Sequence, residues 1–192
     1  QFISLFSTPL THAAVMGRKR ILEKGYYYDK EFPHSEDYEL FSRLALQNVP
    51  MANLDRTLYW VRLNPTSVSV VHNATQIQSH LRITERNINT CFNDNIKISD
   101  NVLKLISNRI DKPVSYKELH DALRLIDHYY NRRKHDLNYS QEVRREIDHY
   151  LRLHKVNILI QSNKVASKSR GFKNLYFFLS TCALIRPSYS FV

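Results

Sequence analysis

From residue 74 onward, apolar side chains recur every three or four positions and hardly ever alternate, a spacing that only a helix can bury along one side. Ile77, Leu81, Thr84, Ile88, Cys91 and Phe92 form one such stripe. Ser99 opens a second with Val102, Leu103, Ile106 and Ile110, and Ser115-Tyr116-Lys117-Glu118 is a capping box ahead of Leu119, Ala122, Leu123, Ile126 and Tyr130. Ser140 is placed to cap a fourth stripe of Val143, Ile147, Tyr150, Leu151 and Ile158. Three glycines and six prolines in 192 residues are too few for a fold of many hairpins. The expected class is α+β and mostly helical, and a chain of this length can bury one real core and a smaller helical one.

Residues 1–73 mix short apolar runs with one strong helix, so the expected division is 1–73 and 74–192. His12–Met16 reads as a strand or strand end leading into a short helix that stops at Gly25. Ser35 is expected to cap a helix over 36–47, whose Leu40, Phe41, Leu44 and Ala45 would pack on a small sheet. Met51–Leu54 and Thr57–Val61 supply β-prone runs for that sheet, and Asn64-Pro65-Thr66-Ser67 is a turn by its chemistry. Arg43 is expected to pair with Glu39, one helical turn before it. The cluster Tyr26, Tyr27, Tyr28 and Trp60 reads as core first and as an aromatic stacking face second.

Charge is uneven. Residues 1–73 carry eight Lys/Arg against seven Asp/Glu, whereas residues 74–192 carry twenty against eleven. The basic excess suits phosphate-bearing partners or an anionic membrane surface. A last apolar run, Leu175 to Ile185, follows a Lys/Ser-rich linker over 162–171, and its eleven residues fall short of the roughly 20 that span a bilayer. It is expected to pack as a helix, with an interfacial position as the alternative. The first sixteen residues lack the basic start and apolar run of a signal peptide, and Gln1 is not a translation start, so a processed or excised chain is expected. Cys91 and Cys182 lie far apart with no metal-ligand spacing, which fits buried thiols in a reducing, cytoplasmic setting.

The stretch that points to chemistry is Ile21 to Leu44. It puts Glu36 and Asp37 in the first turn of an amphipathic helix, where unpaired backbone N–H groups and the helix dipole favour negative charge. Such residues are common for structural reasons alone, since they stabilise a helix by a few tenths to about 1 kcal/mol. The wider pattern adds more. His12-Ala13-Ala14-Val15-Met16-Gly17-Arg18 comes first, and then Gly25-Tyr26-Tyr27-Tyr28-Asp29-Lys30-Glu31-Phe32. Glu36-Asp37-Tyr38-Glu39-Leu40-Phe41-Ser42-Arg43-Leu44 follows, ahead of Leu58-Tyr59-Trp60-Val61-Arg62 and Asn64-Pro65-Thr66-Ser67-Val68-Ser69. In order and spacing this resembles the acceptor side of glycosyltransferase family 2, across roughly residues 8–70.

The resemblance implies a partial GT-A α/β unit followed by a basic helical region. It implies an inverting transferase that moves a sugar from a nucleotide-sugar donor to a saccharide or lipid-linked acceptor hydroxyl, in bacterial surface polysaccharide synthesis. Asp37 matches the family's catalytic base, with Glu36 beside it to tune it; His12, Arg18, Arg62 and Trp60 match positions that border substrate. Two departures stand out. Asn64 occupies a position where the family often has His, and no Asp-x-Asp occurs anywhere in the chain. No metal ligand is therefore assigned to these residues; a divalent Mg or Mn ion is expected only in the full-length enzyme, and this chain alone is expected to be inactive. The resemblance also implies the cytoplasmic face of a membrane, and the basic excess with Lys173, Tyr176, Phe177 and Phe178 leads to the expectation of weak peripheral contact with an anionic inner membrane through the C-terminal segment. The competing reading is a basic helical nucleic-acid-binding or interaction module built on Tyr129, Tyr130, Arg132, Arg133, Lys134 and His135. No recognised binding motif accompanies that run, so no nucleic-acid partner is expected.

Overall fold

A computed structural model describes residues 3–8, 10–62, 73–93, 95–136 and 139–167. These residues are mostly helical, and no strand occurs among them. The chain divides into two compact units, residues 1–97 and 98–192.

Unit 1 is built around α2 (Glu36–Leu46) and α3 (Asn73–Phe92), with a four-residue α1 (Arg20–Glu23) and two 3-10 turns, Ile3–Leu5 and His12–Ala14. The expected stripe of α2 is buried: Leu40, Phe41 and Leu44 form one cluster, against which Leu10, Ile21, Tyr26, Val49 and Met51 pack. The opposite face of α2 is buried too. Tyr38 meets Phe32 and Ile83 in a second cluster, stacks on His80 of α3 with ring centroids 4.2 Å apart, and its hydroxyl lies 3.2 Å from that of Thr84. His80 in turn donates through Nε2 to the Phe6 carbonyl at 3.0 Å, tying the first 3-10 turn to α3.

Three expectations for this half are corrected. His12–Ala14 is a 3-10 turn rather than a strand, and residues 51–62 form no strand. Val15 has strand-like dihedrals (φ −89°, ψ 135°), but a strand is held by its ladder, and no neighbouring strand lies among the described residues to supply one. The Leu40/Phe41/Leu44 stripe therefore packs on loops and α1 instead of a sheet. α3 begins where the periodicity changes near residue 74, and it packs with α2 in unit 1. Finally, the Ser35 hydroxyl does not cap α2; it donates to the Gln76 carbonyl of α3 at 3.2 Å.

With glycine scarce, asparagine takes the left-handed position after α2, α3 and α4 (Asp100–Ile106). Asn48 adopts φ 57° after α2, its N–H donates to Ala45 O at 3.1 Å, and Val49 N–H reaches back to Leu44 O at 2.9 Å. Val49 also packs on Leu44's cluster, which completes a Schellman cap. The same pair of bonds, Asn108 to Leu105 and Arg109 to Lys104, closes α4. Gly25 (φ 84°) ends α1, as its position in the sequence suggested.

Unit 2 packs α4 against α5 (Tyr116–Asp136) and α6 (Gln141–Ser167). The caps read from sequence are present. Ser99 Oγ accepts from Val102 N–H at 3.4 Å and Ser140 Oγ from Val143 N–H at 3.3 Å. In the capping box, Glu118 Oε2 accepts from Ser115 N–H at 2.7 Å, and Ser115 Oγ accepts from Glu118 N–H at 3.2 Å. Leu119, Ala122, Leu123 and Ile126 are buried with Val102, Leu103, Leu105 and Ile106, and α6 adds Leu151 and Ile158. Ile110 falls outside α4, which the Asn108 cap stops first. The start of the expected 162–171 linker is helical instead, with Ser162 buried and donating to Ile158 O at 2.7 Å. The run from Leu175 to Ile185 lies outside the described residues. Among the described residues no helix is long and apolar enough to cross a membrane.

Candidate functional site

The loop that delivers Glu36 and Asp37 is held from α3. Ser79 Oγ donates to Pro33 O at 3.3 Å, Gln76 Nε2 donates to His34 O at 3.0 Å, and Ser35 Oγ donates back to Gln76 O. These three bonds fix residues 33–35, so the first turn of α2 starts from a rigid point. Asp37 sits there half-buried, its Oδ1 accepting from Tyr38 N–H at 2.7 Å. Its other oxygen has no hydrogen-bond partner among the described residues. The side chain of Glu36, also half-buried, makes no hydrogen bond among them.

One turn further along the same face, Phe41 meets the His12 ring edge-on, centroids 6.5 Å apart. His12 Nε2 lies 2.8 Å from Tyr28 Oη, and the two rings are nearly perpendicular. The structure thus brings His12 to the helix that carries the acidic pair. Arg18, Trp60 and Arg62 are exposed and form no hydrogen bond or ion pair with either carboxylate. The tyrosine cluster divides. Tyr26 packs on the α2 stripe and donates to Gln47 Oε1, while Tyr27, Tyr28 and Trp60 are exposed rather than core.

Beneath the acidic pair lies a group that sequence reading only half found. Arg43 binds Glu39 with both forks, Nε to Oε1 and Nη2 to Oε2 at 2.9 Å each, as the spacing suggested. Arg86 of α3 adds Nη1 to Glu39 Oε1 at 2.7 Å, and Glu39 is only 1% exposed. Hydrogen bonding to Glu39 raises Arg43 above the ordinary guanidinium value, against the opposing effect of its partial burial. Arg43 Nη2 also donates to Tyr27 O at 2.6 Å, and Arg82 and Arg86 lie over the Phe32 ring at 5.0 and 5.4 Å. The network therefore joins α2, α3 and the segment that carries Tyr28. Beyond that spacing, its one signal in the sequence is an acidic residue inside the apolar run around Tyr38 to Phe41, where a buried carboxylate requires a cation. Arg86 stands 47 residues away, beyond the reach of local spacing.

No three His, Cys, Asp or Glu side chains converge as a metal site among the described residues. Arg86, Asn89, Thr90, Asn93 and Asn95 line a shallow open depression that excludes the acidic pair. For the competing nucleic-acid reading, Tyr129 is 1% exposed and belongs to the core of unit 2, so it cannot stack on a base. Compared with known proteins, the chain matches no family model, no curated protein and no solved structure.

Proposed function

We propose that this chain is the acceptor-side portion of an inverting glycosyltransferase, with Asp37 as the general base. The observation that carries this reading is the state of the Asp37 carboxylate. It stands at a helix start held by α3, one oxygen is occupied by Tyr38 N–H, and the other is without a partner among the described residues. In the reaction an acceptor hydroxyl oxygen attacks the anomeric carbon as the bond to the nucleoside diphosphate breaks. The leaving group departs with the electron pair, and Asp37 takes the hydroxyl proton. A base must come within about 3 Å of that oxygen, which the rigid helix start favours. Glu36 tunes and positions the pair. His12, hydrogen-bonded to Tyr28 on the same side of α2, contacts the acceptor; Arg18, Arg62 and Trp60 take outer substrate contacts.

Under this reading, residues 1–73 correspond to part of a GT-A α/β unit, and residues 74–192 to the basic helical region that follows it. A nucleotide-binding portion with the Asp-x-Asp motif and its divalent ion supplies the donor site. The substrates are a nucleotide sugar and a saccharide or lipid-linked acceptor in surface polysaccharide synthesis, at the cytoplasmic side of a membrane. The test is nucleoside diphosphate release from a panel of nucleotide sugars by the enzyme that carries this chain and its donor half. Asp37→Asn keeps the shape but cannot take a proton at neutral pH, so turnover should fall at least 10²-fold, the low end of what a general base contributes (about 10²–10⁴-fold). Turnover within about threefold of wild type would refute the base assignment.

A further inference from the structure

Two segments leave the same apolar stripe of α2. His12 stands against Phe41, and Met51 packs on the Leu40/Phe41/Leu44 cluster. A few residues beyond these anchors the side chains turn outward. Met16 is 98% exposed, Leu54 73%, Leu58 70%, Trp60 87% and Val61 66%. Scattered apolar residues on a surface mean little, but five this exposed on two segments anchored at one stripe are unusual for a water-facing surface.

The charges beside them have one sign in excess. Arg18, Lys19 and Arg20 follow Met16, and Arg56 and Arg62 bracket Leu58 to Val61, all exposed. Among these five, only Lys19 has an ion-pair partner among the described residues, Glu23 at 3.8 Å. Asp55 is the one acidic side chain within 51–62. Tryptophan and methionine flanked by guanidinium groups match the boundary of a bilayer, where the ring sits at headgroup depth and the cations meet phosphate. We propose that residues 15–20 and 54–62 dock unit 1 on an anionic lipid surface. This proposal does not depend on the transferase reading, and it gives Arg18, Trp60 and Arg62 to the lipid surface in place of the outer substrate contacts that reading assigns them. It also assigns the membrane contact to a different part of the chain from the basic C-terminal run.

Trp60 is the only tryptophan of the chain, so its fluorescence reports on this surface alone. Adding phosphatidylglycerol vesicles at low salt to the full chain should shift Trp60 emission to shorter wavelength and shield it from acrylamide. Phosphatidylcholine vesicles should do neither. Salt at ~1 M, where the screening length is about 3 Å, should release the protein. Arg20→Gln and Arg56→Gln should each weaken partitioning about fivefold. Met16→Ser with Leu58→Ser should weaken it on the order of tenfold, and these exposed sites can change without disturbing the core. Co-sedimentation with Trp60 emission unchanged would place the contact elsewhere and overturn the proposal. A blue shift that grows with protein concentration in the absence of lipid would assign the surface to a second copy of the chain. Absence of binding at low salt would also overturn it.

Discussion

Arg86 Nη1 lies 2.7 Å from Glu39 Oε1, and that carboxylate is almost wholly withdrawn from water. The contact joins the second half of α3 to the first turn of α2. Arg43 approaches the same carboxylate from within α2, so among the described residues Glu39 has two cations, of which Arg86 alone comes from another helix.

This arrangement predicts an asymmetry. Arg86→Ala leaves a buried carboxylate with one partner and should destabilise unit 1 by about 2–4 kcal/mol. Replacing both Glu39 and Arg86 by Met removes the charge together with its partner and should cost less. Urea unfolding followed by far-UV circular dichroism measures both. A loss under about 0.5 kcal/mol for Arg86→Ala would mean that Arg43 alone suffices.

The two carboxylates at the start of α2 should separate in function. In the enzyme carrying this chain, Glu36→Gln should reduce turnover less than Asp37→Asn, because only the latter removes the proposed proton acceptor. Neither should move the melting temperature by more than a few degrees, since a first-turn charge contributes at most about 1 kcal/mol. Equal losses for both would show that the pair acts through the helix terminus, not through one base.

Acid should loosen unit 2 in two stages. His154 of α6 donates through Nε2 to the Ile106 carbonyl at 2.8 Å, and its Nδ1 faces the Asn108 amide at 3.1 Å. Burial lowers His154 below its ordinary value of 6.5, against a smaller raising effect from the Ile106 hydrogen bond. The folded state thus favours neutral imidazole while the unfolded chain binds the proton more readily. Stability is intact above about pH 6.5 and falls as pH drops from there through the lowered folded value. His154→Gln should flatten the fall of melting temperature between about pH 7 and 5. A second loss belongs further down, where Glu118 is held below the ordinary carboxylate range by Asn101 and Ser115, and Asp111 by Lys104. A variant with the wild-type slope would show that other groups carry the first stage.

Asparagine at the helix ends makes a conformational prediction. At Asn48 and Asn108, each left-handed, glycine should be neutral or stabilising, while a β-branched residue such as valine should cost on the order of 1–2 kcal/mol. Thermal unfolding of the Asn48→Gly and Asn48→Val pair checks this. If valine is tolerated, the cap can be remade without the left-handed residue.

Removing the capping-box hydroxyl should be costlier than a surface change. Ser115→Ala takes away the acceptor of Glu118 N–H and a donor to Glu118, for about 1 kcal/mol. Ser115→Gly should lose less than that, because glycine is itself tolerated at a helix start. Urea denaturation of unit 2 gives both numbers.

What the sequence determined is local. Helix starts at Ser99, Ser115 and Ser140, the buried stripes of α3 and α5, the Glu39–Arg43 pair and the stop at Gly25 all depend on residues within a few positions of one another. Such interactions can be read from spacing. The acidic pair at the head of α2 was legible for the same reason. Tertiary structure decided the rest. Ser35 gave up its expected cap for a carbonyl 41 residues away, and Glu39 took a second cation from 47 residues away. The stripe of α2 found loops where a sheet was expected. Hydrogen bonds, ion pairs and strand ladders between distant segments depend on which surfaces meet, and no local period records that meeting. His12 and Tyr28 come together beside Phe41 only because the chain folds back on α2, so the surroundings of Asp37 belong to the fold and not to the motif.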